Sequence, residues 1–207
     1  MLGPKTLFDK AIDQPWITVG DELHYAIEIA DDTVFLFLEG TVDGQNWKSD
    51  FDFFPESIQP YKGAEWYAHE GFAKLWKSGR DIIVPQVCAA LVSRQNLVIA
   101  GYSLGGSLTV LAHEDFYFTL GKYAGKINSV AFAPARVMWL PTKDFEERFD
   151  RLTCYMRRDD LVPHVPFAVL GYRHVGTCHW LGKWWLPWYT HHLQAEYDVA
   201  LAALNEG

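Results

Sequence analysis

The chain has 207 residues, 49% hydrophobic and 15% aromatic, which suffices for one well-buried core and is short for two, so a single domain over 1–207 is expected. Charged residues make up 21% without a long like-charge run, which excludes a disordered chain, and the formal net charge of −8 opposes electrostatic capture of nucleic acid or an anionic membrane. The N-terminus lacks the roughly seven-residue apolar core of a signal peptide, and no segment reaches about 18 apolar residues, so a cytoplasmic protein is the expectation.

In chain order, 23–30 and 33–39 are β-rich runs split by Asp31-Asp32 and predict two strands joined by a tight turn. Val34-Phe35-Leu36-Phe37-Leu38 is apolar on both faces, as in a central strand. Two glycines, an aspartate and an asparagine over 40–46 predict a loop leaving its C-terminal end. Apolar residues recurring at three and four positions predict helices over 65–78 and 81–93, interrupted near Gly79, with Pro85 early in the second. A short apolar strand over 96–100 is followed by a helical pattern over 104–113. Further strands are expected over 126–132, 151–156 and 172–181, and an amphipathic helix over 193–204. Strands alternating with helices predict an α/β fold with a mostly parallel sheet covered on both sides. Cys88, Cys154 and Cys178 are far apart and odd in number, so each reads as a small core residue; no metal-ligand spacing is visible.

Between the strand at 96–100 and the helix at 104 lies Gly101-Tyr102-Ser103-Leu104-Gly105, a Gly-x-Ser-x-Gly pattern in a strand-turn-helix setting. A serine hydroxyl is a poor nucleophile at neutral pH; it needs a base within hydrogen-bond range and a backbone that presents the oxygen clear of the chain. Small residues at Gly101, Gly105 and Gly106 let strand and helix pass closely enough for that presentation.

Several stretches in order then resemble the class 3 (fungal-type) lipases over roughly 30–200. They are Val34 to Thr41 with Asn46-Trp47-Lys48-Ser49-Asp50-Phe51, His69-Glu70-Gly71-Phe72 opening a helix, and the elbow. Ala131-Phe132-Ala133-Pro134-Ala135-Arg136 and Arg158-Asp159-Asp160-Leu161-Val162-Pro163-His164-Val165-Pro166 complete the set. The resemblance implies an α/β-hydrolase fold and a serine, aspartate, histidine triad, with Ser103 as nucleophile and Asp160, directly before Leu-Val-Pro, as the acid; Asp159 is the rival. It places the histidine just before the last helix with a tyrosine five positions on, which selects His192 over His191 in His192-Leu193-Gln194-Ala195-Glu196-Tyr197. The oxyanion donors it implies are the backbone N–H of Leu104 and Thr41. His174 and His164 read as structural residues, the latter bracing the acid loop.

Two positions depart from the family pattern: Glu39 stands where arginine is common, and Tyr102 where histidine usually precedes the serine. Tyr102 therefore forms a different wall of the substrate pocket. Trp47 falls in 42–61, where the family keeps its lid, and Trp188 belongs to an aromatic group with Trp180, Trp184, Trp185 and Tyr189 just before His192. With Tyr102 these are the candidate substrate-binding residues, and they point to an apolar acyl chain. The implied reaction is hydrolysis of carboxylic esters, acylglycerols or other lipid esters of short to medium chain, without metal or organic cofactor. The implied partner is the lipid ester, with transient contact to a lipid surface; nothing assigns an oligomeric state. Phospholipase A1 or thioesterase activity with the same triad, or a silent lipid-binding module of the same fold, are the alternatives.

Overall fold

The structure is a computed structural model that describes residues 2–20, 23–40, 55–61, 64–141, 144–182 and 193–205; for 56–61, 64–66, 122–124, 144–145 and 205 the backbone alone is described. Its elements in chain order are α1 (Pro4–Ile12), β1 (Ile17–Val19), β2 (Leu23–Ala30), β3 (Thr33–Leu38), β4 (Pro55–Tyr61), β5 (Ala64–His69) and α2 (Glu70–Leu91). Then follow β6 (Asn96–Tyr102), α3 (Leu104–Leu120), β7 (Ile127–Phe132), β8 (Met138–Trp139), α4 (Asp144–Arg148), β9 (Leu152–Arg157), β10 (Tyr172–Arg173), β11 (Thr177–Leu181) and α5 (Gln194–Ala202).

Seven strands form the main sheet in the order β1-β2-β3-β6-β7-β9-β11. From β3 to β11 neighbours run parallel, while β1-β2 and β2-β3 are antiparallel, the latter joined through Asp31 at φ 49°. The period-2 alternation of the central strands divides the core in two. Val34, Leu36, Leu38, Leu97 and Ile99 face the cluster that takes in Trp76 of α2 and Phe116 of α3. Phe35, Phe37, Val98, Ala100 and Tyr102 face the other way, toward Leu7 and Phe8 of α1 and Tyr197 and Leu201 of α5. Every residue from Gly105 to Phe116 is buried, as suits a helix wedged between sheet and neighbour. Asp115 of α3 accepts from Trp76 Nε1 at 2.9 Å and from Arg80 at 2.6 and 2.8 Å, which ties α2 to α3.

The doubly covered, mostly parallel sheet agrees with the sequence reading, but particular elements differ. The two helices expected across 65–93 are one helix, α2, preceded by strand β5. Gly79 does not break it: a Cβ there would lie 2.2 Å from Leu23 Cδ2, so the glycine is where α2 presses onto β2. Pro85 sits inside α2 on its exposed side, where water can take up the carbonyl its ring frees. The single strand expected over 172–181 is split: β10 joins a second, four-stranded sheet, β10-β8-β5-β4, and β11 forms the edge of the main one. The cysteines also depart from a uniform core role, for only Cys154 is buried, Cys88 is half-buried and Cys178 is exposed. Among the described residues no helix is long and apolar enough to cross a membrane.

Candidate active site

The central strand β6 delivers Ser103 to the start of α3 with φ 58° and ψ −117°, outside the wells open to L-residues without strain. The backbone around it explains how that conformation is held. Ser103 N–H donates to Phe132 O at 2.9 Å, fixing the turn to the end of β7. Its carbonyl accepts from Ser107 N–H at 3.0 Å and from Ser107 Oγ at 3.2 Å, and the same Oγ accepts from Ala135 N–H at 3.0 Å. A Cβ at Gly105 would sit 1.9 Å from Leu38 O, and one at Gly101 would sit 2.3 Å from Gly105 O, so strand and helix cross at distances that exclude any side chain.

Ser103 is 7% exposed. Leu104 opens α3, and the first N–H groups of a helix have no intrahelical acceptor, so this end favours developing negative charge. The end of β3 runs alongside: a Cβ at Gly40 would lie 2.7 Å from Tyr102 O and 3.5 Å from Ser103 Cβ. Next to it, the carboxylate of Glu39 is paired with the His24 ring on β2, so the acidic departure at Glu39 has a local partner.

The acid loop leaves the end of β9, two strands from β6. Asp160 is fully buried; its Oδ1 accepts from Val162 N–H at 2.9 Å and its Oδ2 from the Tyr197 hydroxyl of α5 at 2.7 Å. Asp159 behaves differently, pairing with Arg157 through Nε at 3.0 Å and Nη2 at 2.6 Å. Arg157 also reaches Glu196 Oε2 at 2.9 Å, which draws the start of α5 onto the loop. Desolvation and the charge of Asp160, in that order, hold the Tyr197 phenol well above its ordinary pKa, so it remains a donor.

Two sequence motifs that are far apart in the chain meet here. Arg136 donates to the carbonyls of His164 and Pro166, the latter at 3.0 Å, and its N–H to Val165 O at 2.8 Å, bracing the acid loop from the end of β7. His164 and His174 are tied down through ring nitrogens, His164 Nε2 to Arg158 O at 3.1 Å and His174 Nε2 to Pro163 O at 2.7 Å. Burial lowers the His174 pKa to about 4, so it is neutral at ordinary pH. Trp180 stacks on His164 with centroids 5.2 Å apart.

Tyr102 is 8% exposed, and its ring meets Phe8 and Tyr197 edge-on, at 5.5 and 5.7 Å. Thr41, Trp47, Trp188 and His192 lie outside the described residues, as do His191, Trp184, Trp185 and Tyr189. Leu193, the residue after His192, is the N-cap of α5. The sequence marks Tyr197 only as the tyrosine five positions after His192 and Arg136 only as the end of a family-like stretch; their hydrogen bonds to the Asp160 loop, and those of Arg157, have no local sequence signal.

A family model described as lipase (class 3) matches residues 35–170. Among curated proteins the chain is similar to a lipase of Rhizomucor miehei, 25% identical over 190 residues, covering 84% of this chain and 49% of that protein. It is also similar to secreted mono- and diacylglycerol lipase 1 of Fusarium solani, 26% identical over 166 residues, covering 76% of this chain and 46% of that one. The chain thus spans about half the length of these relatives. Among solved structures, Rhizomucor miehei triacylglyceride lipase aligns with a TM-score of 0.70 at 20% identity, covering 81% of this chain and 65% of that one. Lipase II from Rhizopus niveus gives 0.70 at 22% identity, covering 81% and 66%. These likenesses identify the α/β-hydrolase fold. They also correct the expected cytoplasmic location: a relative is secreted by name, and the residues that begin this sequence do not decide the compartment. With a match extending from β3 past the acid loop, the chain belongs to the class 3 lipase family.

Proposed function

We propose that this chain, acting as a single domain, hydrolyses carboxylic esters of lipids, with mono-, di- or triacylglycerols of short to medium acyl chain as the substrate class. The observation that carries the reading is the strained Ser103 backbone at the β6–α3 junction, held by hydrogen bonds and close strand–helix crossings. The names of the acylglycerol lipases it resembles support the substrate class.

In this reading Ser103 Oγ attacks the ester carbonyl as His192 takes its proton, and Asp160 holds the imidazole and offsets its charge. The tetrahedral oxyanion is met by the N–H of Leu104 and by Thr41, each donor worth about 3 kcal/mol in the transition state. His192 returns the proton to the leaving alcohol, and water, activated by the same histidine, hydrolyses the acyl-enzyme. Tyr102 is assigned to the wall of the substrate pocket, with Trp47 and Trp188 against the acyl chain. Phe167, Val169 and Leu170, 51%, 90% and 49% exposed just beyond the acid loop, offer apolar surface for transient contact with a lipid aggregate.

The test is hydrolysis of p-nitrophenyl esters of increasing acyl length, then of acylglycerols, phospholipids and acyl thioesters, by the native chain and by Ser103→Ala. Activity on short to medium esters, reduced by at least about 10⁴ in the variant, is expected. A variant as active as the parent overturns the mechanism, absence of hydrolysis of any ester favours a silent binding module, and preference for phospholipid or thioester reassigns the substrate.

A further inference from the structure

Cys154 lies on β9 and Cys178 on β11, and in the parallel pairing of these strands the two residues are direct register partners. Partners in adjacent parallel strands point to the same face of the sheet, with backbones about 4.8 Å apart, inside the roughly 4.4–6.8 Å Cα range that a disulfide spans. The two thiols are close enough to influence each other's ionisation. Cys154 is 1% exposed, with Sγ 3.6 Å from Val175 O, whereas Cys178 is open to solvent on the last strand of the sheet. One thiol is therefore accessible to a reagent and the other is seated beside it. Cys88 is half-buried on α2, in a different layer.

We propose that Cys154 and Cys178 are a cross-strand dithiol that closes to a disulfide on exposure to a small-molecule disulfide such as oxidised glutathione, tethering the edge strand β11 to β9. The interaction with the Cys154 thiol draws the Cys178 pKa downward, so Cys178 supplies the first thiolate. It attacks one sulfur of oxidised glutathione: a Cys178–glutathione bond forms, the glutathione S–S bond breaks, and one glutathione thiolate leaves. Cys154 then attacks the Cys178 sulfur, forming the Cys154–Cys178 bond and expelling the second glutathione thiolate, which takes up the Cys154 proton. Two protein thiols are oxidised and one glutathione disulfide is reduced to two thiols.

The bond encloses the segment from Cys154 to Cys178, which contains Asp160, and fixes a strand whose one sheet neighbour among the described residues is β9. The experiment equilibrates the folded full-length chain in glutathione buffers of graded reduced-to-oxidised ratio, alkylates the remaining thiols, maps linked peptides by mass spectrometry and follows thermal unfolding. One intramolecular link between the Cys154 and Cys178 peptides is expected, with Cys88 still alkylated and the unfolding midpoint raised by about 5 °C. Cys178→Ser, at an exposed position, abolishes link and shift, while Cys88→Ala keeps both. Three alkylated cysteines at every ratio, a persistent glutathione adduct on Cys178 without the link, a link through Cys88, or a link without the rise each overturns the proposal.

Discussion

The Tyr197 hydroxyl donates to Oδ2 of Asp160 across 2.7 Å while accepting the Arg157 backbone N–H at 3.0 Å. One oxygen thus fixes the buried carboxylate and the end of β9 together. Tyr197→Phe leaves both groups without that partner, in a place where an unmet buried polar group costs about 1–3 kcal/mol. A loss of about 2 kcal/mol in urea unfolding is expected, with ester turnover lowered about tenfold through a misplaced Asp160. A variant matching the parent in both measurements would refute the bridging role.

Asp159 and Asp160 are neighbours with opposite surroundings, one paired with Arg157 at the surface side and one fully buried against Tyr197. Asp160→Asn is expected to lower ester kcat by about 10³–10⁴, because an amide cannot offset the imidazolium and favours the wrong tautomer. Asp159→Asn weakens a partly exposed ion pair and should change kcat by less than about threefold. Comparable losses from the two substitutions would reverse the assignment.

Gly105→Ala directs a methyl group at a point 1.9 Å from Leu38 O and 2.7 Å from Leu38 C, both backbone atoms of β3 that cannot rotate away. Unfolding free energy is expected to fall by more than about 3 kcal/mol. The same substitution at Gly125, where a Cβ meets nothing within 4 Å, is expected to shift stability by less than about 0.5 kcal/mol. Equal melting of the two variants would contradict the close crossing.

Two buried neighbours on α3 give opposite pH slopes. Burial lowers the His113 pKa to about 4, and its ring is held neutral between Ser129 Oγ at 2.8 Å and Arg148 O at 2.9 Å. The unfolded chain binds that proton more readily, so stability from His113 is present above about pH 6.5 and is lost as pH falls toward 4. Burial raises the Glu114 pKa to about 7 despite Arg148, so the native chain holds this proton longer and its contribution is lost as pH rises from about 4.5 to 7. Unfolding measured across pH 4–8 tests both signs. Relative to Glu114→Gln the parent is expected to lose about 3 kcal/mol from pH 4.5 to 7, and relative to His113→Gln to lose a similar amount from pH 6.5 to 4. A slope of opposite sign in either comparison would refute the corresponding assignment.

The parts of the fold that were readable in sequence are those whose pattern is local. The apolar alternation of 34–38 and 96–100, the turn at Asp31-Asp32 and the glycine-bracketed Ser103 each carry their signal within a few residues. The apolar repeat predicts helix over 65–69 because Ala68 also falls in a three-four repeat with Phe72; the strand there exists through pairing with β4 and β8, which no local pattern announces. Gly79 looked like an interruption because the sequence shows a missing side chain but not the Leu23 methyl that occupies its place. In the site, the serine and its glycines were legible, whereas the hold of Arg136 on the acid loop links motifs 28 and 30 residues apart and emerges only once β7 and β9 are neighbours.

The hydroxyl bridge to Asp160 joins residues 37 apart, and Phe8 of α1 rests on Tyr102, Phe132 and Tyr197, spanning nearly the whole sequence. During synthesis, then, the partners of the serine turn, Phe132 and Ala135, are in place well before the chain reaches Tyr197. The acid loop acquires its last hydrogen-bond donor only after α5 emerges. A nascent chain that stops before α5 would therefore carry the Ser103 turn while Asp160 lacks the Tyr197 hydroxyl.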